Sequence, residues 1–190
     1  KIDGDNMNLN ETLEFTKVAA SEYRTIVLTE GVSDKLAIST LAQRLSINLD
    51  AKRIAIVAMG GATNIGHFLD ILTPFRRELN IAGLYDVQEE HHFCRALEQA
   101  RFGSELTQSD LETLGFYVCD VDLEDELIRS VGVDTILEVA ALEGELGAFR
   151  KFQMQPEWRG RGGRAQLRRW LGAGATRKIR YAKLLVNALD

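Results

Sequence analysis

Four short apolar runs, each cut off by an acid or a glycine pair, set the strongest limit on how this chain can fold. They are Thr25 to Thr29, ended by Glu30; Arg53 to Met59, ended by Gly60-Gly61; Ile81 to Tyr85, ended by Asp86; and Phe116 to Cys119, ended by Asp120. Runs of this length, rich in β-branched and aromatic residues and bounded by turn formers, read as buried strands. Between them the spacing turns helical. Ser33 or Asp34 opens a helix to about Leu45, with Leu36, Ala37, Thr40, Leu41 and Leu45 on one stripe. A second spans about Asn64 to Glu78, with Pro74 as a kink or break, and a third spans residues 88–100. Strands that alternate with helices need crossover connections, which impose parallel pairing and place helices on both faces. The expected fold class is α/β: a mostly parallel four-stranded sheet flanked by helices, with a C-terminal helical extension.

The flanking segments are read more coarsely. Residues 1–10 are polar and expected to form a loose arm, with Asn10 capping a short helix that begins at Glu11. Ser109 or Asp110 caps a short helix before the fourth strand. A helix from Leu123 to Val131 is stopped by Gly132, and a single helix follows over 134–150. The glycine–arginine stretch from Gly160 to Arg164 reads as a mobile basic loop, with helices at about 164–171 and 177–189 after it. This divides the chain into an arm and short helix (1–23), a core (24–132) and a basic extension (133–190). The 190 residues, 45 % of them hydrophobic, suffice for one domain with a real core. No apolar stretch reaches membrane-spanning length and no secretory signal opens the chain, so a membrane is not expected among its partners. Cys94 and Cys119 match no metal-finger spacing; they read as reduced, mostly buried thiols in a cytoplasmic protein.

In parallel sheets the site lies at the carboxyl ends of the strands. Glu30, Gly60-Gly61, Asp86 and Asp120 all fall there. Several acids at strand ends point to a hard divalent cation such as Mg2+, which takes carboxylate oxygens and keeps several waters. Glu30 and Asp34 could reach one such ion; alternatively, Asp34 caps the helix and Glu30 is a turn residue. The Gln88-Glu89-Glu90-His91-His92 run lacks the one-face spacing of a zinc site. Asp120 to Glu126 holds five acids in seven residues. Such a run is self-repelling unless something positive sits among it, and a helix N-terminus accounts for only part of it. Gly60 to Gly66 has neither the Lys-Ser/Thr of a P-loop nor a dinucleotide fingerprint, and reads as a tight turn able to approach a phosphate. The net charge of −5 hides eleven bases against one acid, Glu157, between Arg150 and Leu185. That segment is either a solvated basic surface or a surface for a polyanion. Trp158 and Trp170 read as packing anchors rather than stacking platforms.

Together these residues resemble a Toprim domain, the metal-binding module of primases, topoisomerases and several nucleases. The similarity is greatest to the Toprim portion of the OLD (overcoming lysogenization defect) endonucleases. It is carried by Glu30-Gly31-x-x-Asp34, Gly60-Gly61-Ala62, Asp86, Asp122-Leu123-Glu124 and the C-terminal Lys178 before an apolar helix. It covers about residues 24–130 well and 131–190 loosely. What the resemblance implies is a Rossmann-like Toprim fold and two-metal phosphodiester hydrolysis with Mg2+ or Mn2+. Glu30 and Asp86 would hold one ion, and Asp34, Asp122 and Glu124 the second. Asp120 would ligate or orient, and Lys178 would neutralise the transition state. Arg161, Arg164, Arg168, Arg169, Arg177 and Arg180 would track the backbone of a nucleic acid, DNA foremost. Gln88 departs from the pattern, standing where the second aspartate of Asp-x-Asp belongs. No Walker A sequence is present, so no ATP site is expected; an ATPase domain or protein would be a partner, as would a second copy of the chain. The alternative is a non-catalytic Toprim module that binds nucleic acid or a protein. A phosphotransferase with Asp120-Val121-Asp122 as nucleophile is disfavoured, because that class places its nucleophile after the first strand, where Glu30 stands.

Overall fold

Burial and β-branching select the strands, and the caps select the helices. The computed structural model describes residues 7–189. α1 (Leu9–Glu22) is opened by Asn8, whose side chain accepts from the Glu11 amide at 3.1 Å while the Glu11 carboxylate accepts the Asn8 amide at 2.8 Å. This reciprocal box satisfies two donors at once, so the helix starts earlier than expected and its cap is Asn8 rather than Asn10. There follow β1 (Thr25–Thr29), α2 (Val32–Arg44), β2 (Ile54–Ala58), α3 (Ile65–Leu72), β3 (Asn80–Asp86), α4 (Glu90–Gln99), α5 (Gln108–Thr113) and β4 (Phe116–Cys119). Pro74 falls in a 3-10 turn at Thr73–Phe75, so the helix expected to reach Glu78 ends at Leu72. Thr107, not Ser109 or Asp110, caps α5.

The chain divides into two compact units, Lys1–Asp120 and Val121–Asp190. The first is built on a four-stranded, all-parallel sheet in the order β2-β1-β3-β4. Thr29 is level with Ala58 on one side and Leu84 on the other, and Asp86 is level with Cys119. One face presents Ile26, Leu28, Ala55, Val57, Ile81, Tyr85 and Phe116, which pack with Phe68, Leu69, Phe93, Leu97 and Leu111 from the helices. Each large side chain buried there contributes about 1.5–3 kcal/mol of transfer free energy. Tyr85 stacks on Phe93 at 4.8 Å, and Phe93 meets Phe116 edge-on at 6.0 Å. Gly83 makes room for this: a Cβ there would lie 2.6 Å from the Phe116 ring. α2 packs against β1 and β2, with Leu36 and Ala37 buried.

The second unit is helical: α6 (Leu123–Val131), α7 (Val133–Leu142), α8 (Leu146–Gln153), α9 (Gly163–Gly172) and α10 (Ala175–Asn187). Gly132, at φ 86°, ends α6 where the sequence indicated. The single helix expected over 134–150 is two, because Gly144 turns the chain at φ 71°. The glycine–arginine stretch is also more ordered than expected. Its last two residues, Gly163 and Arg164, already belong to α9. The turns before it are tied by Trp158 N–H to Gln155 C=O (3.0 Å), Arg161 N–H to Trp158 C=O (3.1 Å) and the Gln166 side chain to Trp158 C=O (2.8 Å). Leu127, Ile128, Ile136, Phe149, Leu167, Trp170, Tyr181 and Leu185 form the buried interior. Trp170 packs on Phe149 at 5.2 Å and Tyr181 at 5.4 Å, with the Arg177 guanidinium 4.4 Å from its ring centre, so it is the packing anchor expected. No helix among the described residues is long and apolar enough to cross a membrane.

Candidate metal centre and basic cleft

β1 and β3 are neighbours in the sheet, yet β2 lies between them in sequence and sits on the far side of β1. The chain therefore leaves β1 toward one edge and β3 toward the other, which opens a crevice at their carboxyl ends. Glu30 follows β1 and Asp86 closes β3, so both stand at this crevice. They are joined directly: the Asp86 amide donates to Glu30 Oε1 at 2.8 Å, across 56 residues of sequence. The Glu30 carbonyl in turn accepts from Gly61 N–H at 2.9 Å, so Glu30 is tied to the ends of both neighbouring strands. Gly61, at φ 127°, and Gly60, at φ 75°, adopt the backbone that turn requires. The Asn64 side chain closes it on Met59 C=O at 2.9 Å.

Asp34 sits in the first turn of α2. Its Oδ2 accepts the Gly31 amide at 3.0 Å and the Ser33 hydroxyl at 3.4 Å, and it is 7 % exposed at the start of α2. Asp120 follows β4 and is exposed, one strand out from Asp86. Gln88 is exposed in the 3-10 turn Val87–Glu89. Among the described residues, no three of His, Cys, Asp and Glu gather into a group able to hold a metal. Glu30 and Asp86 are strand-end carboxylates joined to each other. Their hard oxygens fit Mg2+ or Mn2+, which needs only one or two protein carboxylates when water fills the other positions.

In the helical unit the acids of the 120–126 run meet bases. Asp122 caps α6 by accepting the Asp125 amide at 2.8 Å, and Arg168 Nε donates to its other oxygen at 2.7 Å. Asp125 accepts both arms of Arg164, with Nε to Oδ1 at 2.8 Å. That guanidinium holds its carboxyl below the usual carboxylate range. Glu124 is 6 % exposed, with Lys178 Nζ 3.3 Å from Oε1. Burial raises its carboxyl above the usual value, assisted by Asp122 and opposed by Lys178. Thus the positive charge that the run requires comes at least in part from Arg164, Arg168 and Lys178. Arg177 and Arg180 share Glu145, and Arg180 also faces Glu143 at 3.8 Å. Asp125 and Glu145 were not expected to carry these pairs. Asp125 was visible only as one more acid of the run, and nothing local marks Glu145.

The family model for the overcoming lysogenization defect protein-like TOPRIM domain matches residues 23–86. Over this segment the chain is similar to an OLD-like TOPRIM domain. The matched segment holds β1, α2, β2, α3 and β3, and with them Glu30, Asp34 and Asp86; Asp120, Asp122, Glu124 and Lys178 lie beyond it. The likeness of fold runs further. The C-terminal region of the OLD protein of Xanthomonas campestris pv. campestris is 22 % identical with a TM-score of 0.65, over 90 % of this chain and 86 % of that one. The C-terminal region of the Burkholderia pseudomallei OLD protein is also 22 % identical, with a TM-score of 0.61 over 88 % of this chain and 89 % of that one. Among curated proteins, no sequence matches.

Proposed function

We propose that this protein hydrolyses phosphodiester bonds of nucleic acid, DNA foremost, with Mg2+ or Mn2+ held at Glu30 and Asp86. The observation that carries the reading is the direct bond between these two residues at the crevice of a segment similar to an OLD-like TOPRIM domain. The ion would supply a water acidic enough to attack phosphorus near neutral pH and a positive charge at the scissile phosphate. The chain's own contribution is placement: Glu30 is anchored to two strand ends, so its carboxylate is held without a flexible loop. The reading extends the TOPRIM core to about residue 132. It also places the protein in the cytoplasm, with an ATPase domain or protein and a second copy of the chain as partners. Light scattering on the purified chain tests the second copy, and co-purification tests the ATPase.

The experiment is plasmid nicking with Mg2+ or Mn2+. Wild type is expected to nick, and Glu30→Ala and Asp86→Ala to lose nicking while still binding DNA; wild-type rates in both variants would refute the reading. Parallel variants of Asp34, Asp120, Asp122, Glu124 and Lys178 decide which of these act in the chemistry. A second reading, a non-catalytic module, is favoured by Gln88 in place of a carboxylate and by the absence of a three-member metal group among the described residues. It predicts no heat of Mn2+ binding at millimolar concentration.

A further inference from the structure

The six arginines expected to track a nucleic-acid backbone do not form one uniform surface. Arg164, Arg168, Arg177 and Arg180 are each paired with an acid of their own unit. Arg161 and Arg169 are exposed and have no acidic partner among the described residues. Both line a cleft of about 440 Å³ inside the helical unit, within the size range of small-molecule sites, about 300–1,000 Å³. Arg168, Lys178 and Trp158 line it as well. Its two acids, Asp122 and Glu124, are the ones already met by Arg168 and Lys178, so the cleft keeps an excess of positive charge.

Trp158 differs from Trp170. Phe152 stacks on it at 5.2 Å, and the Arg161 guanidinium lies over its ring at 4.9 Å. Arg161 is in turn fixed by its Nε donating to Glu157 C=O at 2.7 Å. The result is a supported stack of Phe152, Trp158 and Arg161 at a basic cleft. Such stacks receive the faces of unpaired bases, on the aromatic ring or on the guanidinium plane. A duplex offers phosphates but keeps its base faces covered.

Resting on the nucleic-acid reading above, we propose that this cleft takes one unpaired nucleotide of a single-stranded nucleic acid, its phosphate at Arg169 and Arg168 and its base on the Arg161–Trp158 stack. The proposal adds a stacking role to the packing role expected of Trp158. The test uses a short labelled oligothymidylate in EDTA, so that no cleavage occurs, with anisotropy and tryptophan fluorescence read together. Wild type is expected to bind with quenching of tryptophan emission. Removing the stacking ring by Trp158→Ala is expected to weaken binding about tenfold. Arg169→Ala is expected to weaken it and to lower the salt slope by about one. Arg169 is exposed, so this variant stays folded even if Trp158→Ala does not. Unchanged affinity in Arg161→Ala and Arg169→Ala, or preference for a duplex of equal length, would overturn the proposal. If those variants bind normally while wild type nicks plasmid, the cleft assignment fails and the hydrolase reading stands. If Glu30 and Asp86 variants nick like wild type while Arg169→Ala loses the oligonucleotide, the reverse holds.

Discussion

Glu30→Ala and Glu30→Gln separate the structural work of this carboxylate from its charge. Glu30 Oε1 accepts the Asp86 amide at 2.8 Å in a part-buried setting. A hydrogen bond to a charged acceptor contributes about 1.5–3 kcal/mol, a neutral one about 0.5–1.5 kcal/mol, and an orphaned buried donor costs about 1–3 kcal/mol. The Asp86 amide is only part buried and water can reach it, so alanine is expected to cost about 2 kcal/mol. Glutamine keeps an acceptor oxygen and gives up only the difference, about 1 kcal/mol. For a chain of this size, each kcal/mol lowers the melting midpoint by about 2–4 °C. Differential scanning calorimetry should therefore order the midpoints as wild type, Gln, Ala, with Ala lower by about 4–8 °C. Mn2+ titration should order them differently, with both variants losing most of the heat, because glutamine retains the bond but not the charge. A Glu30→Ala protein that melts with wild type would refute the claim that this side chain ties β1 to β3. A Gln variant with full Mn2+ affinity would refute its role as a metal ligand.

Three other outcomes follow from the packing and the ion pairs. Gly83→Ala should destabilise by about 1–3 kcal/mol, seen as a lower urea midpoint, because its Cβ would press on the buried Phe116 ring and on Leu28 C=O at 3.2 Å. Trp170→Ala should cost about 3–5 kcal/mol by opening a cavity against Phe149 and Tyr181, read from chemical denaturation of the helical unit. Asp125 is held below its ordinary carboxyl value by Arg164, so its share of stability is complete above the unfolded value near 3.8 and is lost as pH falls through the lower folded value. Asp125→Asn should flatten this acid limb in urea midpoints collected against pH, and an unchanged limb would count against the pair.

The sequence disclosed the sheet because each strand is a short run with a hard stop, and Phe116–Cys119 and Leu123–Val131 fall where their bounding residues put them. Two misplaced helix starts had local signals. Asn8 and Glu11, like Thr107 and Asp110, stand in the three-residue spacing of a capping box, which decides between nearby candidate caps. Gly144, between Glu143 and Glu145, likewise marks the break inside the stretch over 134–150. Glu30 and Asp86 were legible as strand-end acids, but the bond between them was not, since it depends on β3 lying next to β1 and not next to β2. The fate of the 120–126 acids was hidden for the same reason. Arg164 and Arg168 lie 39 and 46 residues from Asp125 and Asp122, and only the packing of α9 near α6 selects them from eleven nearby bases.

The strand order also sets a timetable. β1 carries a neighbour on each edge, β2 reached through α2 and β3 only through α2, β2 and α3. As the chain leaves the ribosome, β1 must wait for α2 before β2 can pair with it, and for α2, β2 and α3 before β3 can. Until then its Ile26 and Leu28, and the bare amides and carbonyls of its second edge, are open to any other strand. Pairings that close such long loops are slow to form. The crevice that holds Glu30 and Asp86 cannot exist until the second of them does, so β1 is both the seed of the site and the segment most exposed to misassembly while the site is being made.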